Sequence, residues 1–388
     1  MKSTRTIWGI DVGRSALKAV ELRAMNEGVE VCAFEIIEYA GVPSGPDADR
    51  LAPTRDAIRL LLERRDLSGC HVAVSVPGRN SCSRFVHLAP IESGSLPRLV
   101  RYEAAQQIPF PIEEVIWRWQ TFRDPDSLDS PDVDTGIFAA QRRDVGEMLL
   151  LFAEAGVNVD TVQTAPLALY NLMRFAGQLP DEGATLLVDL GADETDLVVA
   201  DQRRIWTRTE QFGAVRFTEA VAQELDLPLD QAERLKRSVP EGDDVERIAR
   251  AMEPVCRELT GLIRRCVDDY KQQHPKSRFV RLVAAGGGFG LPVLRALVED
   301  ELDIPIVRID VCSGLALSPS VEASSFREGA ASLAVACGLA LQALGQTPVH
   351  VNFLPTGIAH KWAGAGRKSR RRLGQAIRSL LSRLKPRR

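Results

Sequence analysis

The 388-residue chain has no Cys-x-x-Cys pair, no clustered histidines and no long apolar run, and each absence removes a class of function. Its seven cysteines (Cys32, Cys70, Cys82, Cys256, Cys266, Cys312 and Cys337) are odd in number and scattered. That pattern argues against a disulfide framework and a zinc site, and it fits a reducing compartment. The five histidines are dispersed, and His71, His87 and His274 have no neighbouring Cys, Ser or Asp constellation of the triad kind, so triad hydrolysis is not expected. The weakly polar stretch from Gly329 to Gly345 is built largely of Ala, Gly and Ser, too short and too small-residued to span a bilayer, and predicts a buried helix. No Lys/Arg-flanked apolar segment opens the chain, because Met1 to Thr6 leads directly into Ile7-Trp8-Gly9-Ile10. The expectation is a fold without a leader peptide, beginning at that strand.

Acidic residues are missing from one region, Lys361 to Arg388, which holds eleven Lys/Arg. The net charge of −3 therefore hides a body with 38 basic against 52 acidic residues, a net −14, carrying a basic tail. Such a body is not expected to bind nucleic acid specifically, whereas the tail suits an anionic surface. Leu373, Ile377, Leu380, Leu381 and Leu384 recur at i, i+4, i+7, i+8 and i+11, after the Gly-rich Ala363 to Gly366. The tail reads either as an amphipathic helix for an anionic membrane or as a solvated segment.

Two segments about 178 residues apart share one grammar: Ile7-Trp8-Gly9-Ile10-Asp11-Val12-Gly13 and Leu186-Leu187-Val188-Asp189-Leu190-Gly191. Each is an apolar strand ending in Asp-x-Gly, followed by a second strand (Ser15 to Leu22, Thr195 to Ala200), so both read as β-hairpins and a duplicated α/β architecture is expected. Between and beyond them, Val72 to Val76 and Gly136 to Gln141 read as strands, and Leu96 to Gln107 and Arg143 to Ala155 as helices. Asp124 to Asp134, rich in Asp, Pro and Ser, reads as an exposed loop. In the second half Phe217 to Arg237 and Val245 to Gln273 are helical patterns, and Phe279 to Ala285 is a strand running into Gly286-Gly287-Gly288-Phe289-Gly290, with a helix resuming from Leu291 to Leu302.

An Asp-x-Gly turn lets backbone approach phosphate oxygens while the acid at the strand end holds a hydrated Mg²⁺. A turn alone explains one such motif; two after matching strands point to a phosphate clamp. The glycines after Ala285 also suggest a dinucleotide fold, but the register fails, with Leu291 or Val293 at the third glycine position.

Ile10-Asp11-Val12-Gly13 resembles the first phosphate motif of the actin-like ATPase superfamily, Asp189-Leu190-Gly191 the second, and Gly286-Gly287-Gly288 the adenosine motif. Ala232-Glu233-Arg234-Leu235-Lys236 is similar to the chaperone-type E-x-x-K helix, and equally to an ordinary i,i+3 surface pair. Glu103-Ala104-Ala105-Gln106-Gln107-Ile108-Pro109-Phe110-Pro111-Ile112-Glu113-Glu114-Val115 resembles the hallmark segment of the PilM family of type IV pilus assembly proteins. Gly338 to Leu341 and Val351-Asn352-Phe353-Leu354-Pro355 resemble its closing helix and closing segment, so the likeness covers roughly residues 5 to 355.

The resemblance implies an actin-like, duplicated two-lobe fold with ATP and Mg between the lobes. It assigns Asp11, Gly13, Arg14, Ser15, Lys18, Asp189, Gly191 and Gly213 to the phosphates, Asp11 and Asp189 reaching Mg through water, and Glu233, Lys236, Gly286, Gly287 and Gly288 to the nucleoside. It divides the chain into a lobe-1 core (1–83, 160–184), an inserted subdomain (84–159), a lobe-2 core (185–212, 278–355), a helical subdomain (213–277) and a tail (356–388). Gln107, Ile108, Pro109 and Phe110 would dock the cytoplasmic peptide of a PilN-like inner-membrane protein, placing the chain in the cytoplasm at the inner membrane. Self-association is a further partner the reading leaves open. The chain departs from the family at Arg14-Ser15-Ala16, where small hydroxyl residues are usual, at Asp193-Glu194, and at Gly213-Ala214. At the place of the water-orienting group stands Ala165-Pro166, with Gln163 the nearest polar candidate, so slow or absent hydrolysis is expected. The alternatives are a nucleotide-free scaffold and a sugar-kinase-type phosphotransferase, whose general base is unassigned.

Overall fold

The computed structural model describes residues 6–39, 51–88, 95–122, 133–202, 204–237, 244–290, 292–302, 304–356 and 358. The chain divides into two compact units, Met1–Gly177 with Val311–Arg388, and Gln178–Asp310.

In the first unit β1 (Thr6–Val12), β2 (Ala16–Ala24) and β3 (Val29–Glu38) form an antiparallel meander. After α1 (Ala52–Arg64), β4 (His71–Val76) pairs parallel with β1. The middle of β1 is buried along five consecutive residues, the sign of a central strand covered on both faces.

An inserted three-stranded antiparallel sheet follows: β5 (Ser81–Leu88), α2 (Leu96–Gln107), β6 (Val115–Phe122) and β7 (Val133–Gln141), in the order β5-β7-β6. Its own small core includes Cys82, Val100, Ala104, Ile108, Val115 and Ile137, with Phe110, Trp117 and Trp119 packed against it. The helix α3 (Arg142–Glu154) touches both β7 and β4, and the chain returns through β8 (Thr161–Thr164), parallel to β4, into α4 (Ala165–Phe175). The acidic loop expected over 124–134 lies outside the described residues as far as 132.

The second unit repeats the first sheet's grammar. β9 (Ala184–Leu190), β10 (Thr195–Ala200) and β11 (Ile205–Glu210) make an antiparallel meander. The helices α5 (Val215–Leu225), α6 (Leu229–Arg237) and α7 (Asp244–Gln273) precede β12 (Phe279–Ala285), which pairs parallel with β9. After α8 (Pro292–Leu302), β13 (Ile306–Arg308) pairs parallel with β12, giving the order β11-β10-β9-β12-β13. The helix expected as one piece from Phe217 to Arg237 breaks at Asp226, whose φ of 53° is left-handed and ends α5. Pro228 then opens the next segment.

One boundary differs from the sequence reading, which placed 278–355 in a single lobe. From Val311 onward the chain belongs to the first unit. There β14 (Leu315–Leu317) pairs parallel with β3, extending the sheet to β14-β3-β2-β1-β4-β8, and α9 (Ala323–Ala343) packs over β1, β2, β4 and α4. The cause is close packing of small residues: a Cβ on Gly9 would stand 2.0 Å from the Ala336 carbonyl oxygen, and one on Gly338 1.9 Å from that of Ala168. The buried helix expected over Gly329 to Gly345 is the body of α9, and no helix among the described residues is long and apolar enough to cross a membrane.

Candidate nucleotide-binding site

The two Asp-x-Gly hairpins close in the same way. The Gly13 amide donates to the Ala16 carbonyl at 3.0 Å, and the Gly191 amide to the Glu194 carbonyl at 2.9 Å. In both turns a Cβ on the glycine would stand 2.9 Å from that same carbonyl oxygen. The glycines therefore shape the turns, their own amides being spent inside them.

In the first hairpin Asp11 and Lys18 lie directly opposite each other across β1 and β2, and the Lys18 Nζ donates to Asp11 Oδ2 at 3.3 Å. Two residues the sequence reading did not assign complete this half. The Ser75 hydroxyl on β4 donates to Asp11 Oδ1 at 2.8 Å and accepts from the Val12 amide at 3.1 Å. The Tyr39 hydroxyl donates to the Gly13 carbonyl at 3.2 Å, and its amide to the Ser15 carbonyl at 2.9 Å. Burial pushes the Tyr39 phenol up to about 12, so it stays protonated and able to donate. Arg14 and Ser15 stand exposed at the turn.

In the second hairpin the residue opposite Asp189 is Asp196. It stands seven places after Asp189 as Lys18 stands seven after Asp11, so an acid occupies the register position that a base holds in the first hairpin. Asp196 is 9% exposed and accepts from the Thr209 hydroxyl. Gly286 adopts a φ of 82° and lies against the strand end, where a Cβ would be 2.2 Å from Asp189 Oδ1. Gly288 packs on Leu190, while Gly287 is exposed. Gly213 is equally confined, a Cβ there meeting the Ala192 carbonyl oxygen at 2.1 Å, and the next amide, of Ala214, donates to the Gly191 carbonyl at 2.8 Å. Asp193 and Glu194, half-buried, sit in this turn.

Glu233 and Lys236 are no ordinary surface pair. Lys236 is 8% exposed and donates to Glu233 at 2.5 Å, to the Thr218 hydroxyl at 2.7 Å and to the Ala214 carbonyl at 3.3 Å, tying α6 to α5 and to the turn at Gly213. Burial lowers the Lys236 ammonium, partly offset by Glu233. Burial works against the Glu233 carboxylate as well, but hydrogen bonds from Lys236 and Thr218, with the Arg237 charge, hold it below the usual range.

The candidate docking residues divide by direction. Ile108 and Phe110 point into the core of the inserted sheet, while Gln107 and Pro109 are exposed. Gln163 is not placed to orient a water. It is fully buried, donates to Gln342 and to the Val351 carbonyl at 3.0 Å each, and accepts from the Thr164 amide at 2.9 Å.

The closing segment is likewise engaged within the chain. Asn352 accepts from the Val162 amide at 2.9 Å and donates to the Asp160 carbonyl at 2.8 Å. Arg118 of β6 donates to the carbonyls of Asn352 and Leu354 at 2.9 and 3.1 Å.

Signals for the missed residues were present: Ser75 is the one polar residue of Val72 to Val76, and Asp196 is fixed by the register it shares with Lys18. Among the described residues no group of three or more His, Cys, Asp or Glu could hold a metal ion.

Residues 9–344 match the family described as type IV pilus assembly protein PilM. Among solved structures, a PilM–PilN type IV pilus biogenesis complex is similar at 28% identity over 88% of this chain and 99% of that one, with a TM-score of 0.72. The ethanolamine utilization protein EutJ from Carboxydothermus hydrogenoformans is similar at 16% identity over 87% of this chain and 90% of that one, with a TM-score of 0.49.

Proposed function

Because the chain belongs to the PilM family of type IV pilus assembly proteins, we propose that it is an ATP-binding adaptor of a type IV pilus or related secretion machine, docking the cytoplasmic peptide of a PilN-like inner-membrane protein. The observation that carries the nucleotide half is the repeated Asp-x-Gly hairpin, closed by the same hydrogen bond on two sheets that share the order of five strands, the first having β14 in addition. Lys18 supplies the cation for phosphate oxygens in the first hairpin, with Arg14, Ser15 and the Gly13 turn beside it, and the Gly191 turn is the second hairpin's contribution to the phosphates. Asp11 and Asp189 accept from the water shell of Mg²⁺, which, when bound, neutralises polyphosphate charge. Gly286, Gly287 and Gly288 with the Glu233–Lys236 knot form the nucleoside side, and Gly213 belongs with the phosphate contacts.

The partner half rests on the family and on the likeness to the PilM–PilN complex. Gln107 and Pro109 present the docking surface, which Ile108 and Phe110 anchor from within the inserted sheet. The adaptor works at the cytoplasmic face of the inner membrane, where such a partner holds it. Binding without rapid turnover fits the buried, fully engaged Gln163.

Calorimetric titration of ATP with Mg²⁺ tests the nucleotide half. Asp11→Ala and Asp189→Ala each remove a charge-assisted contact worth about 1.5–3 kcal/mol, so each should weaken binding about tenfold or more. Unchanged affinity in both variants would remove the assignment.

A further inference from the structure

In the first hairpin Lys18 neutralises Asp11, its Nζ lying 3.3 Å from Asp11 Oδ2. As the lysine turns to phosphate and the aspartate to a hydrated metal, the pair loosens, and the carboxylate gives up the one ion pair seen for it among the described residues. The torsion that sets a carboxylate plane is broad and two-fold, so nothing intrinsic to Asp11 keeps its orientation.

Ser75 supplies what the aspartate lacks. It is 3% exposed, on the fully buried stretch of β4 beside β1. A hydroxyl has one proton and two lone pairs. Here the proton goes to Asp11 Oδ1 at 2.8 Å and a lone pair receives the Val12 amide at 3.1 Å, so the rotor is fixed from both ends. Oδ1 is thereby held toward β4, and Oδ2 is left on the side where Lys18 stands.

We propose that Ser75 is the positioning residue of the first half-site, holding Asp11 through Oδ1 so that Oδ2 keeps its place for the metal's water shell when an anionic polyphosphate draws Lys18 away. The inference rests on the nucleotide reading given above. The charges balance: Lys18 passes from one anion to another, and the carboxylate it leaves is taken up by the hydrated divalent cation that accompanies the polyphosphate. No bond is made or broken.

The test is the ratio of ATP affinity with Mg²⁺ to ATP affinity in chelator, measured calorimetrically on the full chain. In Ser75→Ala that ratio should fall about tenfold, the size of one charge-assisted hydrogen bond, and Ser75→Thr, which restores the hydroxyl, should return it toward the wild-type value. Thermal melting of both variants reports the structural cost separately, and a purely structural serine would lower the melting temperature without moving the ratio. A wild-type ratio in Ser75→Ala overturns the inference and leaves the nucleotide reading standing. Failure of the unmodified chain to bind ATP overturns both.

Discussion

Gly338 shows how a single residue fixes an element. Its missing side chain lets α9 rest directly on the backbone of α4, and any Cβ would stand 1.9 Å from the Ala168 carbonyl oxygen, a contact only backbone movement can relieve. Gly338→Ala should therefore cost about 1–3 kcal/mol by overpacking, read as a lower denaturant midpoint with an unchanged slope. Gly290→Ala is the matched control, because nothing lies within 4 Å of a Cβ there. Equal midpoints for the two variants would show that α9 is not packed on α4 in this way. The same scale separates the glycines by role: Gly286 needs its left-handed backbone and its closeness to Asp189, whereas Gly13 and Gly191 are needed by the carbonyls that close their turns.

Helix α9 starts from an unusual cap. Glu322 accepts from the hydroxyl of Ser324 and from the amides of Ser324 and Ser325, at 3.1 and 2.6 Å for the two amides, and these bonds hold its carboxyl at about 2. The folded value lies below the ordinary 4.5, so the cap's contribution is present above pH 4.5 and is lost as pH falls through about 2. Glu322→Gln should flatten the fall in melting temperature across that window, and an unaltered acid limb would exclude the cap as its cause.

Elements of this kind were largely readable from sequence, because periodicity and breakers are local. Leu96 to Gln107 and Phe279 to Ala285 have the expected bounds. The break at Asp226 was hidden because the residues on either side of it keep a helical pattern. What lay beyond sequence was partnership at long range: nothing in Leu315 to Leu317 tells which sheet it joins, and that Gln163 faces Gln342 depends on α9 crossing β4 and α4. The candidate site followed the same rule, the Asp-x-Gly turns being legible, whereas Ser75 stood out as the polar residue of its strand but its meeting with Asp11 depended on β4 pairing with β1.

At the scale of the whole molecule, the repeated strand order gives each unit one Asp-x-Gly hairpin, with opposite charge at the cross-strand position. The inserted sheet is tied to the first unit's core by the closing segment, through Arg118 on one side and Val162 on the other. Beyond that segment lies the basic tail, which falls outside the described residues. Each Lys/Arg near an anionic bilayer contributes about 1 kcal/mol and a buried leucine roughly 1.5–3, so the tail's sequence predicts reversible membrane binding. The full chain should sediment with anionic vesicles at physiological salt and a truncation after Thr356 should not; equal behaviour of the two would assign the tail no membrane role.

The adaptor account is tested most directly by the affinity of a labelled PilN-like cytoplasmic peptide for the full chain, followed by fluorescence anisotropy. Gln107 and Pro109 are the exposed members of the proposed docking segment. Changing them together, Gln107→Arg with Pro109→Asp, should weaken peptide binding about tenfold or more while the melting temperature holds, because the new charges fall on exposed positions of the contact and leave the core untouched. Tight binding that is indifferent to both changes would contradict the account.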